Sequence, residues 1–275
     1  MEQKKKLAFT TLGCPDWSFD RILEEAQTMG YSGIEIRGLE GKMLAEDIVQ
    51  FYPENREATL AAVKNHGLTM ISFGSSVSFH SADKFDDMLA EGKRAIDICQ
   101  TIGIPAIRIF GNAIPKEEAE AVIISRVAKG AKILAEYGET RGVQVLLETH
   151  GDFNTLERIK GVFDQAGNDN LKLLWDVAHT DKIYMDNFMD FYQPMKDKIT
   201  HTHFKDHIRG TPGEPKSFKL CRLGEGQIPI LAIVNQLLSD GYSGYFTLEW
   251  EKKWHPELPD AEIAYPDFVR LLNGI

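Results

Sequence analysis

Short apolar runs, many of them rich in β-branched residues, alternate along the whole chain with amphipathic stretches of about 12 to 22 residues. This alternation is typical of repeated strand–helix units built around a parallel sheet. Eight runs have the length and composition of strands. They are Leu7–Leu12, Gly33–Arg37, Leu68–Phe73, Ala106–Phe110, Val143–Glu148, Leu171–Asp176, Ile199–His203 and Gly244–Glu249.

The stretches between these runs have helical periodicity. Ala95, Ile98, Cys99 and Ile102 recur at the i, i+3, i+4, i+7 spacing of a buried helix face. Gly103 follows directly, at the point where a left-handed residue commonly ends a helix. The pattern therefore predicts a helix after each strand, which makes eight strands and eight helices.

Eight such units in 275 residues predict an α/β fold, a single (β/α)8 TIM barrel domain over residues 1–275. The alternative is an open doubly wound sheet, which usually carries a glycine-rich phosphate loop after its first strand. Here the first predicted strand runs into Gly13–Trp17, and no G-x-G-x-x-G pattern follows. The barrel is therefore favoured, and its chemistry belongs at the carboxyl ends of the strands.

The net charge and the cysteines indicate which binding partners and which cellular compartment to expect. The chain has 31 basic and 41 acidic side chains and a net charge of −10, which disfavours nucleic acid as a partner. Its three cysteines form no C-x-x-C pair, which favours a reducing compartment. No apolar run approaches the roughly 18 residues of a membrane span. We expect a cytoplasmic protein, although an export signal removed before residue 1 stays open, as does homo-oligomerisation.

Four successive predicted strands end in side chains that bind metals: Glu148, Asp176, His203 and Glu249. Because the carboxyl ends of barrel strands meet at one mouth, three carboxylates there would repel one another without a cation. The sequence therefore predicts one divalent metal ion, and three oxygens with one imidazole suit Mn²⁺, Mg²⁺, Co²⁺ or Zn²⁺ equally.

Each of these residues also has an ordinary structural interpretation. A single carboxylate at a strand end more often caps a loop or forms a salt bridge, and only the coincidence of four favours a metal. His201 lies two residues before His203 on the same side of the strand and is expected one layer deeper. His150, His179 and His207 follow the strands and are candidates for substrate contact or for support of the ligands.

Several motifs resemble the sugar phosphate isomerase/epimerase branch of the xylose-isomerase-like barrel superfamily. They are LLETHGDF, WDVAH, HTHFKDHIR and LGEGQIP. The resemblance covers nearly the whole chain, from TTLGCPDWSFD near the start to FTLEW near the end. This branch includes ketose 3-epimerases, inosose isomerases and dehydratases, and hydroxypyruvate isomerases. The resemblance thus implies a TIM barrel that acts on a small sugar or polyol.

The resemblance also implies roles for individual residues. Glu148, Asp176, His203 and Glu249 match the ligands of a single metal, and Glu148 and Glu249 match the glutamates that exchange a proton with the substrate. His179, three residues after the aspartate, and Arg209, six residues after the metal-binding histidine, match substrate contacts. Glu35 matches a glutamate on the second strand. The remaining residues expected to bind substrate are Trp17, by stacking on a sugar face, His150 and Lys205.

Endonuclease IV, a three-zinc DNA repair enzyme, belongs to the same superfamily, but this sequence departs from it. Its third and fourth strands end in Phe73-Gly74 and Phe110-Gly111, where that enzyme has zinc-binding histidines. No Asp-x-His follows in the long loop after strand seven. Together with the net charge of −10, these differences predict one metal and no DNA.

The resulting hypothesis is a divalent-metal-dependent isomerase or epimerase of a small keto-sugar or polyol, working by proton transfer through a metal-stabilised enediolate. The alternative is a metal-dependent dehydratase, a lyase acting on an inosose-like or dehydroshikimate-like substrate. A third hypothesis is a non-catalytic sugar-binding barrel. The segment from Lys205 to Gln227, with Pro212, Gly213 and Pro215, is expected to form a lid over the mouth.

Overall fold

Strands and helices alternate through the residues that the computed structural model describes, which are 5–211, 214 and 217–274. The strands are β1 (Lys6–Thr10), β2 (Gly33–Ile36), β3 (Thr69–Ser78), β4 (Ala106–Phe110), β5 (Gln144–Glu148), β6 (Leu171–Asp176), β7 (Ile199–Phe204), β8 (Asp206–Ile208), β9 (Lys219–Cys221) and β10 (Tyr245–Leu248). The helices are α1 (Phe19–Met29), α2 (Arg56–Asn65), α3 (Phe85–Ile102), α4 (Glu120–Glu139), α5 (Leu156–Ala166), α6 (Val177–Tyr184), α7 (Met189–Met195), α8 (Ile230–Ser239) and α9 (Ala261–Asn273). No helix in these described parts of the chain combines the length and apolar character that a membrane span requires.

Eight of the strands close into a parallel barrel in the order β1-β10-β7-β6-β5-β4-β3-β2. Strand β1 completes the ring because Ala8 pairs with Gly33 of β2 on one side and with Thr247 of β10 on the other. The predicted (β/α)8 TIM barrel is confirmed. Its closure places β10, β7, β6 and β5 side by side, so residues at their carboxyl ends meet on one side of the mouth.

The helix count differs from the eight predicted. Two helices, α6 and α7, follow β6, because Met185 adopts a left-handed backbone with φ of 48° and ends α6. A short 3-10 turn over Met185–Asn187 leads into α7. No glycine or proline marks this break in the sequence, so the periodicity alone could not show it.

Two short strands stand where the sequence predicts a lid. Strands β8 and β9 form an antiparallel pair outside the barrel, with His207 opposite Leu220. Pro212, Gly213 and Pro215, on which the lid prediction partly depended, lie outside the described residues. The described part of this segment is therefore a small sheet at the mouth.

Asp206 ties this small sheet to the chain that follows it. Its buried carboxylate accepts hydrogen bonds from the backbone N–H groups of His207, Gly224, Gly226 and Ile228, at 2.9 to 3.2 Å. A Cβ at Gly226 would lie 2.0 Å from Asp206 Oδ1, so only glycine fits there. The LGEGQIP motif thus wraps around a carboxylate and fixes the position of β8 and β9.

The strands separate two layers of packing. Residues on one face, such as Phe9, Ile34 and Ile107, belong to the main apolar core with the helices. A second, small cluster comprises only Ala106, Leu146 and Leu174. Because side chains two residues apart share a face of a strand, Arg108, Glu148 and Asp176 continue the face of this small cluster. Polar and charged groups therefore stand directly above a minimal apolar plug inside the barrel.

Candidate metal centre

Glu148, Asp176, His203 and Glu249, called the metal-site cluster below, converge at the carboxyl ends of four adjacent barrel strands. One ligand atom from each residue lies within 4.8 Å of those of the other three. The first three end or nearly end β5, β6 and β7, and Glu249 follows β10 by one residue. All four are buried, with at most 4% of the residue exposed. The strand-end pattern in the sequence and the positions in the structure agree for these four residues.

The carboxylate of Asp176 is fixed by the start of α6. Its Oδ1 accepts hydrogen bonds from the backbone N–H groups of Ala178 (2.9 Å) and His179 (3.2 Å), as an N-cap residue does. Its buried Oδ2 accepts no hydrogen bond from the described residues, and Lys205 Nζ lies 2.9 Å away as an ion-pair partner. Burial raises the pKa of Asp176 to about 7 despite this ammonium. One oxygen therefore keeps a lone pair for another cation.

Arg108 holds Glu148 from the neighbouring strand. Its Nη1 donates to Glu148 Oε2 at 2.6 Å, and both side chains are almost fully buried. Burial raises the pKa of the Glu148 carboxyl, but the Arg108 guanidinium outweighs this and holds that pKa at about 2. No local motif in the sequence pairs Arg108 with Glu148. The sequence sign that Arg108 has a buried partner is its position in the middle of β4, AIRIF, whose other residues are apolar.

His203 is fixed from both sides of its ring. Its Nδ1 lies 3.3 Å from Glu148 Oε1 and 3.4 Å from Glu249 Oε1. Its Nε2 lies 3.1 Å from Glu35 Oε2, an oxygen that also accepts a 2.6 Å hydrogen bond from Ser72 Oγ. When Nε2–H donates to Glu35, the lone pair of Nδ1 faces the carboxylates of the metal-site cluster.

The cluster has the donors and the spacing that a divalent cation needs. Ligand distances of about 2.0–2.2 Å place the donors of one ion up to roughly 4 Å apart, so donors within 4.8 Å reach that spacing by small side-chain shifts. Burial lowers the pKa of His203, but Glu249 and Glu35 raise it well above its ordinary value, and a cation at Nδ1 would replace that proton. Oδ2 of Asp176, which accepts no hydrogen bond from the described residues and has only the ammonium of Lys205 beside it, completes a donor set that fits a divalent metal.

Lys205 lies at the edge of the cluster. Its ammonium forms ion pairs with Asp176 and Glu249 and with Glu251, which is partly exposed. Burial lowers the pKa of Lys205, but these carboxylates outweigh it and raise that pKa well above the ordinary value. Lys205 is therefore a permanently charged group that is already engaged by three carboxylates.

Two cavities open beside the cluster and share His150 and Glu251 in their walls. The larger, of about 600 Å³, is also lined by His179, Lys182 and Lys205. The smaller, of about 230 Å³, is also lined by Arg37, Arg108 and Glu249. The His150 ring packs between those of Phe110 and His179, at centroid distances of 4.5 and 4.4 Å. His150, His179 and Lys205, all expected to bind substrate, therefore border the larger cavity.

Two other residues expected to bind substrate, Arg209 and Trp17, contact protein groups and lie outside the walls of the two cavities. Arg209 donates to both oxygens of Asp181, at 2.6 and 3.0 Å, and to Asp186. Trp17 is buried beneath the guanidinium of Arg21, 4.5 Å from its ring centroid, and borders a narrow cleft of about 10 Å³. Neither Arg209 nor Trp17 is among the described residues that line the two cavities.

Glu35 also stands apart from the cavities, on the far side of His203 from the cluster. It is 1% exposed, and its Oε2 contacts His203 and Ser72. From the sequence, Glu35 is predicted to lie on the second strand and to bind substrate. In the structure it contacts His203, a predicted ligand, and no local motif contains this relationship between β2 and β7.

The chain is similar in sequence to an isomerase and to a dehydratase, and similar in structure to a protein that contains a bound metal. An inosose isomerase of Bacillus velezensis is 24% identical over 168 residues, 57% of this chain and 56% of the relative. An inosose dehydratase of Yersinia enterocolitica is 30% identical over 159 residues, 51% of this chain and 50% of the relative. The chain thus spans about half the length of these curated relatives. Among solved structures, the IolI protein with a bound zinc atom has a TM-score of 0.79 at 18% identity, covering 98% of this chain and 97% of that one.

A family model covers most of the barrel. The model of the xylose isomerase-like TIM barrel matches residues 23–267, which extend from α1 to α9 and include all four members of the metal-site cluster. The resemblance noted from the motifs is thereby confirmed at the level of the family. The closed parallel barrel and this match lead to one conclusion: the chain belongs to the xylose isomerase-like TIM barrel family.

Proposed function

We propose that the protein is a divalent-metal-dependent isomerase or epimerase of a small keto-sugar or polyol. The observation that carries this proposal is the approach of Glu148 and Glu249 to a common point, 3.3 and 3.4 Å from His203 Nδ1. The two glutamates come from β5 and β10, which lie on either side of β6 and β7 in the ring. Removing a proton from one face of a carbon and returning it from the other requires two such groups.

The metal-site cluster supports the metal dependence. A divalent cation held there would act as a Lewis acid on a substrate carbonyl and ease removal of the adjacent proton. Mn²⁺, Mg²⁺, Co²⁺ and Zn²⁺ all suit the donor set, and the zinc of the IolI neighbour supports metal binding without selecting among them.

The protein's own residues keep the two glutamates ionised. The pKa of Glu148 is held at about 2 by Arg108. Burial raises the pKa of Glu249, but Lys205 and His203 outweigh it and hold that pKa well below its ordinary value. Both carboxylates are therefore ionised at neutral pH, which is the state that the proton acceptor needs. The glutamate that returns a proton to the opposite face must first take one up, from water or from a substrate hydroxyl.

The residues around the cluster divide into those that face the cavities and those that position others. His150 and His179 border the larger cavity, and burial lowers the pKa of both, so their neutral rings suit hydrogen bonds with substrate hydroxyls. Glu35 positions His203 through Nε2. Arg209 joins β8 to α6 through Asp181 and holds one wall of the mouth.

A dehydratase is the second candidate, and the similarity to the Yersinia inosose dehydratase favours it. Elimination of water next to a carbonyl begins with the same proton removal, so the two glutamates serve either reaction. What differs is the fate of the substrate after that step: the proton returns to carbon in an epimerase or isomerase, and a hydroxyl leaves in a dehydratase.

One experiment tests both candidates. The metal-loaded protein is incubated in D₂O with a panel of ketohexoses and inososes, followed by NMR and mass spectrometry. Deuterium incorporation without loss of atoms supports the isomerase or epimerase, and loss of one water supports the dehydratase. Glu148→Gln and Glu249→Gln should each abolish exchange, whereas Glu139→Gln, at the exposed end of α4, should not. Exchange that persists in both of the first two variants would overturn the proposal.

A further inference from the structure

The larger cavity contains positive charge that the metal-site cluster does not use. Three lysines line it: Lys182, Lys205 and Lys219. Lys205 is engaged by three carboxylates. Among the described residues, the ammonium groups of Lys182 and Lys219 have neither an ion-pair nor a hydrogen-bond partner. Two free cations therefore face the space beside the proposed reaction site.

Helix α6 places Lys182 at a defined separation from the cluster. Asp176 caps the helix, and His179 and Lys182, three residues apart, are neighbours on its surface and both line the larger cavity. Six residues of helix span about 9 Å along the axis. Lys219 reaches the same cavity from β9. A ligand that contacts the cluster at one end can therefore meet both lysines at its other end.

The surroundings of Lys182 favour an anion as its partner. The side chain is half-buried. Burial and the ammonium of Lys205 lower the pKa of Lys182, with Asp176 and Glu251 opposing them. The chain as a whole carries a net charge of −10, so an anionic ligand gains attraction only from such local cations.

Phe218, Leu220 and Leu258 form an apolar part of the wall of the same cavity. Apolar surroundings strengthen an ion pair or charged hydrogen bond because they exclude competing water. Arg209 and Arg108 are already bonded to Asp181 and Glu148. Of the two cavities beside the cluster, Arg37 lines only the smaller, where it donates to Ser76. Lys182 and Lys219 are therefore the lysines of this cavity that remain for a ligand.

We propose that Lys182 and Lys219 form a subsite for an oxyanion, a carboxylate or a phosphate, at the end of the substrate remote from the reacting carbons. This inference rests on the proposed function, because it assigns the substrate of that same site to the class of acidic or phosphorylated keto-sugars. Lys182 is the specificity-determining residue of the pair, since it is half-buried and its position is set by α6.

Three ligands that differ only at C6 test this subsite: D-fructose, D-fructuronate and D-fructose 6-phosphate. Their dissociation constants are measured by calorimetry with the metal-loaded wild-type protein and with Lys182→Gln, Lys182→Arg and Lys219→Gln. Lys132→Gln, at an exposed position on α4, is the matched control. We expect one charged ketose to bind at least about tenfold more tightly than fructose, as a charged hydrogen bond in a partly dry site allows. If the tighter ligand is D-fructuronate, the subsite binds a carboxylate. If it is D-fructose 6-phosphate, the subsite binds a phosphate.

Lys182→Gln should remove most of this preference, Lys219→Gln a smaller part, and Lys182→Arg and Lys132→Gln should keep it. Equal binding of the three ketoses, absence of binding by both charged ketoses, or a preference that survives Lys182→Gln would overturn the subsite. The proposed function is measured separately, by deuterium exchange. If the protein catalyses deuterium exchange but binds the three ketoses equally, only the subsite is overturned. If it prefers a charged ketose but catalyses no exchange, only the proposed reaction is overturned.

Discussion

Glu35 Oε2 lies 3.1 Å from His203 Nε2, on the side of the imidazole ring that faces away from the metal-site cluster. A hydrogen bond there fixes both the tautomer and the orientation of the ring. Ser72 donates to the same oxygen at 2.6 Å and holds the glutamate in turn. Strands β2 and β3 therefore determine how a residue on β7 presents its Nδ1.

Replacement of Glu35 by Ala should weaken binding of Mn²⁺ or Zn²⁺ by about 10- to 100-fold, the usual effect of losing such a partner of a metal-binding histidine. Competition with a coloured chelator measures the affinity. Ser72→Ala, which removes only the hydroxyl behind Glu35, should have a smaller effect. Unchanged affinity in Glu35→Ala would contradict the positioning role.

Removal of Arg108 should destabilise the metal-free protein, because Arg108→Met leaves the buried Glu148 without its 2.6 Å partner. Breaking one side of a buried ion pair costs about 3–5 kcal/mol. Urea unfolding gives the change in the free energy of unfolding. The double variant Arg108→Met/Glu148→Gln should regain part of it. Lys160→Ala, which breaks the exposed pair with Asp164, should change stability by less than about 1 kcal/mol. A similar loss in both single variants would show that Arg108 does not neutralise Glu148.

Addition of Mn²⁺ or Zn²⁺ to chelator-treated protein should raise its melting temperature. A ligand at 100 times its Kd stabilises the folded state by about 2.7 kcal/mol. Asp176→Asn should abolish most of this rise, because it removes the charge while the amide oxygen can still cap α6. Glu139→Gln should leave the rise intact. A full rise in Asp176→Asn would mean that the metal binds elsewhere.

Gly226→Ala should destabilise the mouth of the barrel, because its Cβ would lie 2.0 Å from Asp206 Oδ1 and disrupt the hydrogen bonds of that carboxylate. We expect a loss of about 2 kcal/mol or more, the scale for leaving a buried polar group unsatisfied. Gly274→Ala is the control, since a Cβ there would meet its nearest neighbour at an ordinary 3.5 Å. Thermal unfolding that is equal in the two variants would show that the loop adjusts without strain.

The barrel and the positions of its strands follow from local patterns. A run of apolar residues bounded by turn residues is enough to predict a buried strand. Strand β6, for example, begins and ends at the predicted residues. The convergence of Asp176 and His203 was also foreseeable, because parallel strands bring their carboxyl ends to one place. Both predictions require only the two-residue period of a strand and the closure of the parallel strands into a barrel.

What the sequence could not show depends on contacts between distant segments. Arg108 contacts Glu148 across 40 residues, and Glu35 contacts His203 across 168. The resemblance implies a substrate contact for Arg209, and the sequence gives no sign of the hydrogen bond that it also makes to Asp181 on another element. Charged side chains with several feasible partners choose among them only in three dimensions, so their roles cannot be assigned from spacing alone.

The apolar plug inside the barrel consists of three side chains, those of Ala106, Leu146 and Leu174. The layer above it is filled by ionic side chains, including Arg108 and Glu148, so the groups that would perform the reaction also hold the centre of the molecule together. New substrate preferences are therefore easier to evolve or engineer at the rim, on α6 and the β8–β9 pair, than at the strand ends. A change at Lys182 removes no ion pair from this ionic interior.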